Sequence, residues 1–527
     1  MLLSSPSPFV DAESTTRECA GGARSREART LQRRGGLPIR AVAVLAVAVV
    51  SALACAEPGE APTARPNILW IIWDTVRAEN LGIYGYARPT TPFLDAWAEE
   101  ARVFDDVISA GTTTVPAHAS MFTGLLPSQH GAHNQSPQLA TEFATLAEIL
   151  AGEGYATYLF AANPHLRDQN GFGRGFDRVE HPWSPPFQAD AQRLAHAKAG
   201  PNRAEAGAAA IKDAGPLAAR GLTTWLAGSE PGKPFFAVLN YMEAHRPWLA
   251  ARRHRERFMS PEQIERSYAS TTVGMEVWNY TLGVAELSDD ELQLAWSAYD
   301  ATISELDELL RDLLTSLESQ GLLEDTVVVL TSDHGELLGE HHMLEHQFSI
   351  HEELVRIPLV LWYPRGIEAG REDGPVSNLD LFPTLLELAG AVPRSGRPQP
   401  GVGLLAPRKG RERISEYPAP ARNILGFFRL ANPGVKTTGF ERSLRSLYRG
   451  PHKLVWASDG DHALYDLEAD PAEQRNLLEA RSELAREMAE SLDRRLDGLG
   501  APPASTPHEP PSPEMRARLE ALGYLEQ

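Results

Sequence analysis

Long apolar runs, unrelieved by alternation, recur along the chain. Asn67-Ile68-Leu69-Trp70-Ile71-Ile72-Trp73 is the first; Tyr155–Phe160, Pro234–Leu239, Thr326–Thr331 and Ile357–Trp362 follow. A strand with one wet face alternates, whereas short continuous runs mark strands buried on both faces. Helical spacing fills the intervals, at Pro92–Arg102, Thr145–Glu153, Glu205–Leu226 and Glu291–Gln320. Strands alternating with helices predict an α/β fold: a large, mainly parallel sheet between helix layers.

The pattern changes after a Pro/Gly/Arg-rich linker at 393–410. Ser446-Leu447-Tyr448, Lys453–Trp456 and Ala463-Leu464-Tyr465 read as short strands. Asp459-Gly460 marks a hairpin between the last two. A small antiparallel sheet with a helix over Pro471–Asp497 is predicted, within a C-terminal subdomain at 411–500. A Pro-rich tail at 501–527 ends in a short helix over Pro513–Leu522. The α/β domain itself spans 67–392. Residues 184–222, rich in Ala, Gly and Pro, read as a surface insertion.

The N-terminus looks like an address. Arg33, Arg34 and Arg40 precede an apolar run from Ala41 to Ala54, too short to span a bilayer and right for a signal-peptide core. Ala52-Leu53-Ala54-Cys55 resembles a lipoprotein cleavage box. Residues 1–55 are therefore read as leader and signal, with Cys55 a candidate lipidation site and 56–66 a tether. This predicts export to the periplasm or outer surface, with membrane attachment through a lipidated Cys55. Cys19 and Cys55 are the only cysteines, so loss of the leader leaves no internal disulfide. The net charge is −20. Residues 1–54 hold seven Arg against four acidic residues, so their removal would leave −23. Such a surface argues against nucleic acid as a partner.

Chemistry concentrates where the predicted strands end. In open α/β sheets ligands bind at the carboxyl ends of strands. Asp74, His245, Asp333 and His334 all fall there. Asp74, Asp333 and His334 offer hard oxygen and imidazole ligands for one divalent cation, Ca, Mn or Zn. Thr114–Gly124 reads as a short helix with Pro116 in its first turn and a threonine hydroxyl at its positive end. Thr114 would serve there either as a nucleophile beside the cation or as an ordinary N-cap.

These residues carry a resemblance to the sulfatase family of the alkaline-phosphatase-like superfamily. Asn67-Ile68 through Asp74-Thr75-Val76-Arg77, then Leu81-Gly82-Ile83-Tyr84-Gly85-Tyr86, resemble its opening. Thr90–Asp95, Thr123–Pro127 and His130-Gly131 follow in the family's order. So do Thr331-Ser332-Asp333-His334-Gly335-Glu336, Gly339-Glu340-His341, Val355–Leu359, Leu379–Thr384 and Leu464–Leu467. The resemblance implies an ester hydrolase with a cation held by Asp74, Thr114, Asp333 and His334. It gives catalytic or orienting roles to His245, His346, His118 and Arg77.

The chain also departs from the family. The position that carries the cysteine or serine converted to formylglycine is Thr114, and oxidation of threonine would give a ketone. The motif arginine is His118, and the usual lysine after Gly339-Glu340-His341 is replaced by His346. Trp73-Asp74 stands where many members have two acids. No formylglycine is expected. Threonine serves as nucleophile in phosphodiesterases and transferases of the superfamily, so the resemblance implies phosphoester hydrolysis through Thr114. The alternatives are a sulfuric ester hydrolase and a non-catalytic ligand-binding lipoprotein. The substrate is expected to be a small-molecule, glycan or lipid-head-group ester, with pocket walls from 164–220 and 250–290. Glu243, His245 and His346 are the candidates for any second cation.

Overall fold

Each apolar run becomes a strand. The computed structural model describes residues 65–521 apart from 199–211, 270–275, 394–395, 501 and 504–509. The leader, Cys55 and most of the tether lie outside the described residues. In chain order come β1 (Asn67–Trp73), β2 (Arg102–Ile108), β3 (Ala156–Ala161), β4 (Arg178–Glu180), β5 (Phe235–Tyr241) and β6 (Thr326–Thr331). β7 (Leu337–Leu338) and β8 (Leu344–Glu345) pair with each other, and β9 (Leu359–Trp362) and β10 (Gly370–Ser377) follow. The large sheet has eight strands in the order β10-β2-β9-β6-β1-β5-β3-β4. β9 runs antiparallel to both of its neighbours; every other pairing is parallel.

β1 shows why the runs are continuous. Leu69, Ile71 and Trp73 enter one core with the helices Asp289–Ser319 and Gly215–Ala227. Ile68, Trp70 and Ile72 enter another with Thr114–Thr123, Leu146–Gly152 and Leu381–Leu388. Both faces are dry, so a polar side chain on either would be buried without a partner. The long helix starts at a capping box, in which Ser288 accepts from the Glu291 N–H and Glu291 reaches back to the Ser288 N–H.

Several boundaries differ from the sequence reading. Pro92–Trp97 is helical, but Ala98–Glu100 tightens to a 3₁₀ turn so that Arg102 can enter β2. Residues 184–222 are not simply a surface insertion. Leu217, Ala218 and Leu222 of Gly215–Ala227 are core residues; the first part of the predicted helix at 205–226 lies outside the described residues.

The small sheet gains a strand that the pattern missed. Its order is β11 (Arg413–Tyr417), β12 (Leu444–Arg449), β13 (His452–Ala457) and β14 (Ala463–Asp466), all antiparallel. Its helix begins at Ser482 rather than Pro471. The skipped residues close the sheet instead: Leu477 N–H donates to Leu464 O at 2.7 Å, and Asn476 Oδ1 accepts from Leu464 N–H at 3.0 Å. Ala485, Met488 and Leu492 of the helix pack on Leu447, Leu454 and Leu464. A last helix, Pro513–Ala521, follows the Pro-rich tail. Among the described residues no helix is long and apolar enough to cross a membrane.

Candidate active site

The parallel register brings four loops to one edge. Ile72 pairs with Asn240 of β5 and Thr331 of β6, and Asn240 pairs with Ala161 of β3. Asp74, Asn163 and Asp333 follow those strand ends by one or two residues, so topology alone places them together.

Asp74, Asp333 and His334 form one fully buried group, with their ligand atoms within 4.8 Å of one another. One oxygen of each carboxylate is spoken for. Asp74 Oδ2 accepts from Asn163 Nδ2 at 3.0 Å and from Asn240 Nδ2 at 3.1 Å. Asp333 Oδ1 accepts from the N–H groups of Thr75 at 3.1 Å and His334 at 2.9 Å. The other oxygens, Asp74 Oδ1 and Asp333 Oδ2, make no hydrogen bond, and neither does His334 Nε2. Buried polar atoms are almost always paired. Burial raises the Asp74 carboxyl to about 6 against its two amide donors. Burial and then the neighbouring Asp74 charge push Asp333 well up. Burial keeps His334 neutral, with Nδ1 on Gly335 O at 2.9 Å. Two crowded carboxylates and a neutral imidazole with orphaned donor atoms suit a divalent cation.

The backbone is strained to build this group. Thr75 sits at φ +62, a conformation that β-branched residues rarely adopt, and its N–H bonds Asp333. Gly335 has no room for a side chain, because a Cβ would collide with the Glu353 carbonyl.

Thr114 is the first residue of the helix Thr114–Thr123, and Thr113 is its N-cap, so the N-cap reading of Thr114 is corrected. All ten helix residues are buried, and Gly124 ends it at φ +70. Asn163 ties the hydroxyl to the carboxylate pair: its Nδ2 lies 3.4 Å from Thr114 Oγ1 as well as 3.0 Å from Asp74 Oδ2. His118, one turn on, holds Nδ1 3.0 Å from Thr114 O and 3.4 Å from Asp333 Oδ2. Burial lowers its pKa to about 4, which favours the neutral ring.

His245 and His346 face each other beside this centre, with ring centroids 5.3 Å apart; His346 lies 4.6 Å from His334. Their charges differ. Burial, then His346, pushes His245 well below the usual histidine range. For His346 burial works against the charge, but Glu336 and Glu345 outweigh it and raise it to about 9. Nδ1 of His346 is 3.2 Å from Glu336 Oε1 and 3.7 Å from Glu345 Oε2. The two carboxylates beside it favour the charged imidazolium at position 346. The loop that aims it is strained, with His341, His342, Glu345 and Phe348 all at positive φ.

Arg77 does not join the pair of carboxylates. Its Nη1 donates to Glu340 Oε1 at 2.8 Å and to Glu336 O at 3.1 Å, so it braces the loop that carries Asp333 to Glu340. Glu243, considered for a second cation, also turns away: its Oε1 accepts from Gly215 N–H at 2.7 Å. Glu336 and Glu345 stand with His346 in its place. The sequence reading missed Asn163, Asn240, Glu336 and Glu345. Their signal was position at strand ends and beside Asp333 and His346.

A cavity of about 470 Å³ opens at His245 and His346. The expected stretches supply His165, Arg167 and Trp278. The rest comes from Asn134–Pro137, Gln347, Ala421–Ile424 and the tail at Pro510, Pro511, Arg516 and Leu519.

The family model that describes sulfatases matches residues 66–391, which include every residue of this centre. The chain belongs to the sulfatase family. Among similar sulfatase-family proteins is the N-acetylglucosamine-6-O-sulfatase of Bacteroides thetaiotaomicron, 25% identical over 85% of this chain and 89% of that one. The multifunctional alkaline phosphatase superfamily protein PehA of Trinickia caryophylli is 26% identical over 78% of this chain and 91% of its own. The crystal structure of the phosphonate monoester hydrolase of Agrobacterium radiobacter shares the fold, with TM-score 0.64 and 21% identity over 82% and 96% of the two chains.

Proposed function

We propose that the protein hydrolyses phosphate esters, with Thr114 as the nucleophile. The observation that carries this reading is a threonine hydroxyl tied through Asn163 to the buried carboxylate pair, in a chain whose only cysteines are Cys19 and Cys55. Formylglycine chemistry needs an aldehyde hydrate, which threonine cannot provide. An alkoxide can attack phosphorus in line.

Asp74, Asp333 and His334, with Thr114 Oγ1, would hold a divalent cation, which when bound favours the deprotonated hydroxyl and offsets the charge of the transferring group. The Thr114 hydroxyl releases its proton to solvent, and the Oγ–P bond forms as the P–O bond to the organic group breaks. The charged His346 donates a hydrogen bond to a non-bridging oxygen or gives its proton to the leaving oxygen. Water then attacks the phosphothreonine; the Oγ–P bond breaks and phosphate leaves. Neutral His245 accepts the proton of that water. His118 fixes the helix start and Asp333, and Asn163 and Asn240 orient Asp74.

Sulfate ester hydrolysis is the second reading, favoured by the family and by the named activity of the Bacteroides relative. It would require Thr114 to form and release a sulfothreonine. Intact-mass analysis during turnover of an aryl phosphate separates the two. Phosphate addition at Thr114, absent with the aryl sulfate, supports phosphoryl transfer; sulfate addition alone overturns it.

A further inference from the structure

Arg167, buried in the wall of the active-site cavity, has no counter-ion among the described residues. Arg167 is only 7% exposed. Its Nε makes no hydrogen bond, and its guanidinium has no ion pair or hydrogen bond among the described residues. Burial alone pushes its pKa down, with no carboxylate opposing. Arg408 Nε and Arg413 Nε are likewise without a hydrogen bond, but the rest of those guanidinium groups is partnered, as in other buried arginines of this chain. Arg255 reaches the carbonyls of Ala250 at 2.9 Å and Trp248 at 3.0 Å, and Arg413 reaches Asp106 Oδ1 at 2.6 Å. Burying a charge without a partner is costly and persists where something else supplies the partner.

Position says what that partner is. Arg167 follows Asn163 by four residues on the loop leaving β3, and its N–H bonds His165 O at 3.1 Å. It shares the cavity with His245 and His346. Glu345 also lines that cavity, but it is held by Arg246 and faces His346, so it does not neutralise Arg167. Trp278, Ile424 and Leu519 line the same cavity, whose volume of about 470 Å³ has room for a ring beside them. A ligand anchored at the histidine end would therefore extend its organic part past apolar surface toward an unpaired cation.

We propose that Arg167 is a second-anion subsite. The substrate carries, besides the ester anion, a carboxylate, sulfate or phosphate on its organic part, and Arg167 binds it by charge-assisted hydrogen bonds. The helix Pro513–Ala521 closes the wall over that part. This rests on the reading that the ester's organic portion occupies this cavity.

The test uses two arenes whose carbon-bound sulfonate cannot be hydrolysed, benzenesulfonate and 4-sulfobenzoate, measured by calorimetry. The wild-type protein should bind 4-sulfobenzoate about 10-fold tighter or more. Arg167→Ala and the polar, uncharged Arg167→Gln should bring that ratio near one, and Arg167→Lys should restore part of it. Equal binding of both by the wild type, no binding of 4-sulfobenzoate at millimolar concentration, or a ratio kept in Arg167→Ala would overturn the proposal. An equal loss on both ligands would do the same, because it would make Arg167 a holder of the ester anion or part of the structure. The readout is separable from the reaction: an intact ratio in a protein that cleaves no phosphate ester would sink the phosphoesterase reading and leave the subsite standing.

Discussion

Asn163 donates its side-chain amide to Asp74 Oδ2 at 3.0 Å while lying 3.4 Å from the Thr114 hydroxyl. One amide therefore orients both a carboxylate of the buried group and the Thr114 hydroxyl. Asn163→Ala should weaken cation binding about 10- to 100-fold, the range seen when groups that orient metal ligands are removed. Calorimetric titration with Mn or Ca checks this, and an unchanged affinity would place Asn163 outside the centre.

His346 is expected to act through its charge. His346→Ala should lower kcat/KM by roughly 10²- to 10³-fold, as loss of a transition-state donor does. His346→Lys keeps a cation beside Glu336 and Glu345 and should recover most of the loss. Equal damage from both variants would mean that ring shape, not charge, matters.

Much of this centre was legible before the structure. Two-sided burial wrote β1, β3, β5 and β6 into the sequence as unbroken apolar runs, and the strand-end rule pointed to Asp74, Asp333 and His334. β10 was not legible, because Gly370–Ser377 is a mostly polar edge strand with a register shift between Glu372 and Pro375. Asn163 and Asn240 are not legible as site residues, because an asparagine at the end of an apolar run also suits a turn. Only the register between β1, β3 and β5 turns them onto Asp74. Arg167 was invisible for another reason: the absence of a partner is a three-dimensional fact.

The small sheet carries an acid-sensitive tie to the catalytic domain. Burial pushes the Glu473 carboxyl up, but Lys453 at 2.9 Å and His351 at 3.0 Å outweigh it and hold it at about 2. A carboxyl held below its ordinary value contributes stability above about pH 4.5, and that contribution fades as pH falls toward 2. The magnitude is on the order of 3 kcal/mol. Glu473→Gln should flatten the loss of stability between about pH 5 and 2 in denaturant titrations; an unchanged pH profile would refute the tie.

Gly335 tests the strain built into the Asp333 loop. Gly335→Ala forces a Cβ onto the Glu353 carbonyl and should cost about 1–3 kcal/mol by overpacking. A shift of the urea midpoint reads it directly. A neutral substitution would show that the loop has slack.

The central claim is that Thr114 is the nucleophile of a phosphoesterase. The measurement is paired rates on p-nitrophenyl phosphate, bis-p-nitrophenyl phosphate and p-nitrophenyl sulfate for the wild type and Thr114→Ala, with bound metal quantified in both. The account predicts phosphoester turnover by the wild type, reduced at least about 10⁴-fold in the variant. Turnover of the sulfate alone, or phosphoester turnover that survives Thr114→Ala, would contradict it.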